Sequence, residues 1–191
     1  MRVWCHSVLR VRFSGWTATG CGPCRCTVTE NERKSLYGLS VTAGGDAMYL
    51  DSAILVKLVV REPDSDFYAD LLDGRTAVQA SELTMPECRS ALLRKREHGD
   101  IDARTCERAW ERLQSLWSKG GGLLLQPVTR TVLLEAGEVI CQCAGAVPVR
   151  TLDAIHIASC LLARAYPLMT NDRVMRSAAE RLGIPLGATP P

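Results

Sequence analysis

The chain has 191 residues, of which 47% are apolar and 23% charged, values that suit one globular domain with a sizeable core. A formal net charge of +2 excludes any argument for nucleic-acid or membrane binding from bulk basicity. No apolar run approaches the roughly 18 residues of a membrane-spanning helix, since the longest, Ala53 to Val60, is short and carries Lys57.

Charge and cysteine are unevenly spread. Residues 1–47 hold six Lys/Arg and three Asp/Glu, whereas residues 48–191 hold seventeen and eighteen. A site acting on a polyanion would therefore need local basic patches around it. The nine cysteines are an odd number. Arg10 and Arg12 interrupt the apolar stretch that a secretion signal would need. Both points argue against a disulfide framework and for a cytoplasmic protein. Cys88, Cys106, Cys141, Cys143 and Cys160 fall at or near apolar helical positions and read as small buried hydrophobes.

Residues 1–47 show no sustained period and collect Gly, Thr, Ser and Cys before ending in Gly44-Gly45. Cys21-x-x-Cys24-x-Cys26, with Cys5-His6 upstream, offers four zinc-type ligands but lacks the second half of a zinc pattern. The segment reads as a disordered extension or a mis-assigned upstream stretch. Met48 opens the first well-patterned element, which makes 48–191 the expected domain.

From there the pattern is regular. A strand over 47–51 stops at Asp51, and Ser52 is placed to cap a helix over 53–60 that Pro63 ends. Ser65 caps a short helix from Asp66 to Asp73, closed by Gly74. Residues 76–80 form a strand. Thr84-Met85-Pro86-Glu87 has the form of a capping box for a helix that runs to His98 and stops at Gly99. Asp102 starts the next helix, with Cys106, Ala109, Trp110, Leu113, Leu116 and Trp117 on one face. Leu123-Leu124-Leu125 reads as a short buried strand. Thr131 to Cys143 is a helix with Val132, Ala136, Val139, Ile140 and Cys143 inward. Thr151 caps a helix holding Asp153 in its first turn. Residues 167–170 form a strand, a helix then reaches Leu182, and Ile184-Pro185-Leu186 is a last short strand. Strands alternating with helices predict an α/β fold with a mainly parallel central sheet flanked by helices.

Most acids in 48–191 suit turns, helix ends or solvated faces. Asp51, Glu87, Asp153 and Asp172 differ, because each follows a strand or sits in the first turn of a helix near one. In a parallel sheet these positions gather along one edge, where open α/β sheets bind ligands. Each alone has a structural explanation, a cap or a favourable helix-dipole position. Together they repel, by about 3 kcal/mol for a pair ~5 Å apart at an effective dielectric of 20. Such a group must protonate or bind a cation. An all-oxygen set suits Mg²⁺ or Mn²⁺, ions that handle phosphates.

Four stretches carry a family resemblance: Tyr49-Leu50-Asp51-Ser52-Ala53, Ser81-Glu82-Leu83-Thr84-x-x-Glu87, Arg150-Thr151-Leu152-Asp153-Ala154-Ile155-His156-Ile157-Ala158, and Met169-Thr170-Asn171-Asp172. In order and spacing, residues 48–187 resemble PIN-domain ribonucleases, most of all the VapC-like toxins of toxin–antitoxin pairs. The resemblance implies a PIN-like fold and a Mg²⁺- or Mn²⁺-dependent endoribonuclease. Asp51, Glu87, Asp153 and Asp172 would be its catalytic and metal-binding quartet, and cleavage would leave a 5′-phosphate and a 3′-hydroxyl. It further implies an RNA substrate, a cognate small antitoxin and a homodimer, for which the Trp110/Trp117 face and the Thr131–Cys143 helix are candidate interfaces. Ser52 and Thr170 are candidates for holding the carboxylates, and Arg150 and Arg173 for meeting the RNA backbone. His156, one turn after Asp153, reads as a packed histidine ahead of a general acid.

Other readings are a PIN-fold protein acting as a binding partner, a solitary PIN nuclease in RNA processing, and a haloacid-dehalogenase-like or receiver domain. A dehalogenase-like site wants a second Asp two residues after the first, where Ala53 stands. Both of these folds usually need a downstream Lys, and residues 120–191 have none.

Overall fold

A computed structural model describes residues 47–75 and 77–191. The expected extension with its Cys21–Cys26 motif lies outside the described residues. Four strands, β1 (Met48–Leu50), β2 (Val78–Ser81), β3 (Leu123–Gln126) and β4 (Leu168–Met169), form one sheet in the order β3-β2-β1-β4. All pairings are parallel, with Tyr49 opposite Gln79 on one side and Leu50 opposite Met169 on the other. The chain winds outward from β1 to β3, then crosses back to lay β4 on the far side of β1. The border of β1 and β4 is therefore the point where strand order reverses, and crevices form there beyond the strand C-termini.

Among the described residues, seven helices cover the sheet: α1 (Ser52–Val59), α2 (Ser65–Leu72), α3 (Thr84–His98), α4 (Ala103–Trp117), α5 (Arg130–Cys143), α6 (Thr151–Ala163) and α7 (Arg173–Leu182). Side chains of β1 alternate between the two faces. Tyr49 points into a core with Val139, Ala154, Ile157, Met175 and Ala178 from α5, α6 and α7. Met48 and Leu50 point into a second core with Ile54, Tyr68, Leu92, Cys106 and Leu113 from α1 to α4. Burial on both faces is what the continuous apolar run of β1 prescribes for a parallel strand. Gly99 and Gly183 end α3 and α7 in the left-handed conformation, as expected of helix-stopping glycines. No helix among the described residues is long and apolar enough to cross a membrane.

Several local expectations need correction. Asp51, not Ser52, caps α1, because its carboxylate accepts the Ile54 N–H at 2.9 Å. Thr84-x-x-Glu87 is not a capping box. Leu83 takes the cap position in a helical conformation, and the buried Thr84 hydroxyl has no partner. Thr129 caps α5 through the Val132 N–H, so that helix begins at Arg130. The residue before α6 is Arg150, and Thr151 is already helical. β3 is an edge strand, which leaves Leu124 59% exposed rather than buried. Ile140 and Cys141 are exposed on α5, Ile140 beside its inner stripe and Cys141 on the side opposite to it. The last expected strand is reduced to a bridge between Leu168 and Leu186.

Candidate active site

Asp51 follows the last residue of β1 and is 4% exposed. Its carboxylate accepts the Ile54 N–H, and Thr170 stands beside it. The Thr170 hydroxyl points its proton at the Met175 sulfur, 3.8 Å away. Burial raises the Asp51 pKa above its ordinary value, and Thr170 and the Ile54 N–H only moderate the rise.

Across the β1–β4 border, the Thr170 oxygen accepts the Asp172 N–H at 3.0 Å. Asp172 caps α7 by accepting the Met175 N–H at 2.9 Å and remains exposed. Thr170 thus stands beside Asp51 while its hydroxyl oxygen holds the backbone of Asp172. Asp153 accepts the Arg150 N–H at 3.3 Å, closing the first turn of α6. Burial raises its pKa; the Arg150 bond opposes the shift and the charge of Asp172 adds to it. Asp153 and Asp172 therefore share one electrostatic environment.

Glu87 enters from α3. Its carboxylate accepts the His156 Nε2–H at 2.7 Å and a hydrogen bond from Ser52. Burial pushes the carboxyl up, but His156 outweighs it, with help from Ser52 and Arg94, and the pKa lies below the ordinary value. The other ring nitrogen of His156, Nδ1, is 3.0 Å from the Tyr49 hydroxyl. An ionised carboxylate only accepts, so Nε2 carries the proton, and in the neutral ring Nδ1 accepts from Tyr49. His156 is 3% exposed and joins α6 to both β1 and α3. When it carries a charge, it also favours the ionised forms of Asp51 and Asp153. A packed histidine was the expectation. Its role as the joint of the site was not, although its place one turn after Asp153 was the available signal.

Ser52 lies beside Glu87, and Thr170 beside Asp51. Arg150 and Arg173 are exposed, Arg150 at the cap position of the helix that carries Asp153 and Arg173 next to Asp172 in the chain. Burial and the charges of Glu87 and Asp51 push the Cys88 thiol up to about 12, which makes it inert packing. A groove of about 690 Å³ between α1 and α3 runs past Ser52 and Glu87 toward Lys57, Arg94 and Lys95. Sequence reading gave Arg94 no role, yet it lies two helical turns after Glu87 and therefore shares its face. Among the described residues, no group of three or more His, Cys, Asp or Glu side chains is arranged to hold a metal ion by itself.

Comparison with known proteins agrees with this architecture. Residues 48–181 match the family model described as PIN domain. The chain is 37% identical over 142 residues to Ribonuclease VapC46 of Mycobacterium tuberculosis, across 72% of this chain and 94% of that protein. It is 30% identical over 146 residues to Ribonuclease VapC35 of the same organism, across 72% and 93%. Among solved structures, VapBC2 from Rickettsia felis, bound to a DNA fragment from their promoter, superposes with a TM-score of 0.54 at 15% identity, covering 73% of this chain and 96% of that one. FitAcB from Neisseria gonorrhoeae gives a TM-score of 0.54 at 17% identity, covering 73% and 95%. At such identities the structural likeness concerns the fold.

Proposed function

The chain belongs to the PIN-domain family, and on that footing we propose that it is a divalent-metal-dependent endoribonuclease acting as the toxin of a toxin–antitoxin pair. The observation that carries the reading is Asp51. It is a buried carboxylate at the point where strand order reverses, held in place by hydrogen bonds but short of positive charge. Similarity to proteins named as ribonucleases supports RNA as the substrate. The working domain in this reading is 48–191.

The donors fit a hard cation. All four are carboxylates, and the raised pKa values of Asp51 and Asp153 mark a site that a positive charge would relieve. Mg²⁺ is commonly held by one or two carboxylates, with waters and substrate phosphate completing the shell, so a closed protein cage is not required. Asp51 and Asp153 would hold the ion chiefly, with Glu87 and Asp172 contributing directly or through water. When bound, Mg²⁺ or Mn²⁺ supplies Lewis-acid polarisation of the phosphodiester and of water.

The remaining work belongs to the chain. His156 fixes the rotamer of Glu87 through Nε2–H, and Tyr49 fixes the ring of His156. Thr170 aligns Asp51 with Asp172. Glu87 and Asp172 orient the attacking water. Arg150 and Arg173 meet the RNA backbone from the exposed rim, and Arg94 does so in the groove. A homodimer belongs to the same reading. The exposed Leu133, Leu134 and Ile140 of α5 offer an apolar face for it, whereas the Trp110 and Trp117 rings pack edge to face against each other.

Induction of the full chain in a bacterium should arrest growth. Asp51→Asn or Asp153→Asn should relieve the arrest, and so should co-expression of a small antitoxin encoded beside the gene. Equal toxicity from both variants would refute the catalytic reading.

A further inference from the structure

The loop that carries Asp172 is held from a direction unrelated to the carboxylates. Asn171 lies between Thr170 and Asp172. Its side-chain oxygen accepts the hydroxyl of Tyr68, a residue of α2 that is 1% exposed. Its Nδ2 donates to Asp64 at 3.3 Å. Only this orientation of the amide satisfies both partners, because a carboxylate cannot donate to an amide oxygen. Asp64 is in turn bound by Lys57 of α1 at 2.7 Å. Lys57 also bonds Glu62 at 2.6 Å, and Lys95 of α3 reaches Glu62 at 2.8 Å. The side chains of Lys57 and Asp64 are 15% and 21% exposed, so the pair is only partly screened by solvent.

The chain of bonds therefore runs from Lys95 of α3 through Glu62, Lys57 of α1 and Asp64 to the loop after β4, where Tyr68 of α2 joins it. It crosses a sequence separation of 107 residues at the Asp64–Asn171 step. On its opposite side the same loop is held by Arg176, which donates to the Thr170 carbonyl at 3.1 Å. Neither Lys57 nor Asp64 belongs to the carboxylate quartet, and neither is needed to cap a helix with its side chain. A partly buried ion pair that ends on an amide beside a catalytic candidate has a use if the position of that amide matters.

We propose that Asn171 is a positioning residue, clamped by Tyr68 and the Lys57–Asp64 pair, and that this clamp sets the geometry of Thr170 and Asp172 relative to Asp51. The proposal rests on the reading of Asp172 as part of a nuclease site. Without the clamp the loop keeps its fold but loses a single arrangement. Thr170 and Asp172 then no longer hold one position relative to Asp51.

The test uses the full chain and two variants that remove one contact each, Tyr68→Phe, which keeps the ring, and Asp64→Asn. Arg61→Ala breaks an exposed ion pair with Asp66 and serves as control. Hydrogen exchange of residues 168–176 in metal-free protein should quicken about three- to tenfold in both variants, the effect of losing one ordinary hydrogen bond, and stay unchanged in the control. With Mn²⁺ and a long single-stranded RNA as probe, kcat should fall about ten- to a hundredfold while KM moves less than about threefold. Lys57→Met should behave like Asp64→Asn, and Lys57→Arg should restore most of the rate.

Unchanged exchange at 168–176 in both variants overturns the clamp. Faster exchange with unchanged kcat overturns its positioning role. If the parent protein cleaves no RNA, the nuclease reading fails, while exchange still decides whether the clamp exists.

Discussion

Replacing His156 by Leu keeps the approximate volume of the side chain and removes both of its hydrogen bonds, to the Tyr49 hydroxyl at 3.0 Å and to Glu87 at 2.7 Å. A neutral buried bond contributes about 1 kcal/mol net, and one to a charged group about 1.5–3 kcal/mol. The Glu87 side chain is 22% exposed, so water replaces part of its loss, and Ser52 remains as a donor. Ser159 lies beside the Tyr49 hydroxyl and compensates there in part. The expected cost is then about 2 kcal/mol, which for a domain of this size lowers the melting temperature by about 4–8 °C. Urea and thermal unfolding of the single variant, of Tyr49→Phe and of the double variant measure it. In the cycle the two changes should be non-additive by about 1 kcal/mol, because they remove one shared bond. A melting temperature within about 1 °C of the parent, or strict additivity, would refute the role of His156 as the joint between β1, α3 and α6.

Two further outcomes follow from the electrostatics. Asp51→Asn retains a good helix cap and removes a charge that burial disfavours, so the variant should be more stable than the parent at neutral pH by about 0.5–2 kcal/mol in urea titration while losing cleavage. The sign follows from linkage: the Asp51 pKa is raised in the fold, so its charge costs stability above the ordinary value of 3.8, and the cost fades as pH falls through the folded value. Glu62 has the opposite sign. Burial works to raise its pKa, but Lys57 and Lys95 hold it below the ordinary 4.5, so its stabilisation is present above that value and disappears as pH falls through the lower folded pKa. Acid unfolding of Glu62→Gln should therefore show a shallower loss of stability below pH 4.5 than the parent.

The parts of the site that depend on local pattern could be read from the chain. Asp51 ends a buried apolar run and Asp172 precedes an amphipathic helix, so both their edge positions and the parallel sheet followed from period and punctuation. The capping box at Thr84 illustrates the limit. The motif is local, but the Ser81 hydroxyl and the Glu82 carbonyl take the N–H groups of Leu83 and Met85, and His156 takes Glu87 across 69 residues. Tyr49 with His156 and Asp64 with Asn171 are each 107 residues apart, and no periodicity encodes such pairs. Ile140 failed for a different reason. The inner face of α5 is the narrow stripe of Val132, Ala136, Val139 and Cys143, and one extra apolar residue beside it does not widen the contact with α6.

The central claim is that the four acids form a cation-dependent centre that cuts RNA. Its most direct test is cleavage of RNA by the purified full chain with Mn²⁺, with Mn²⁺ plus excess EDTA, and with Asp153→Asn in place of the parent. The account predicts internal cleavage only in the first case, recovery when Mn²⁺ or Mg²⁺ is restored after EDTA, and loss of rate of about a hundredfold or more in the variant. Cleavage that persists in EDTA, or at the parental rate in Asp153→Asn, would contradict it.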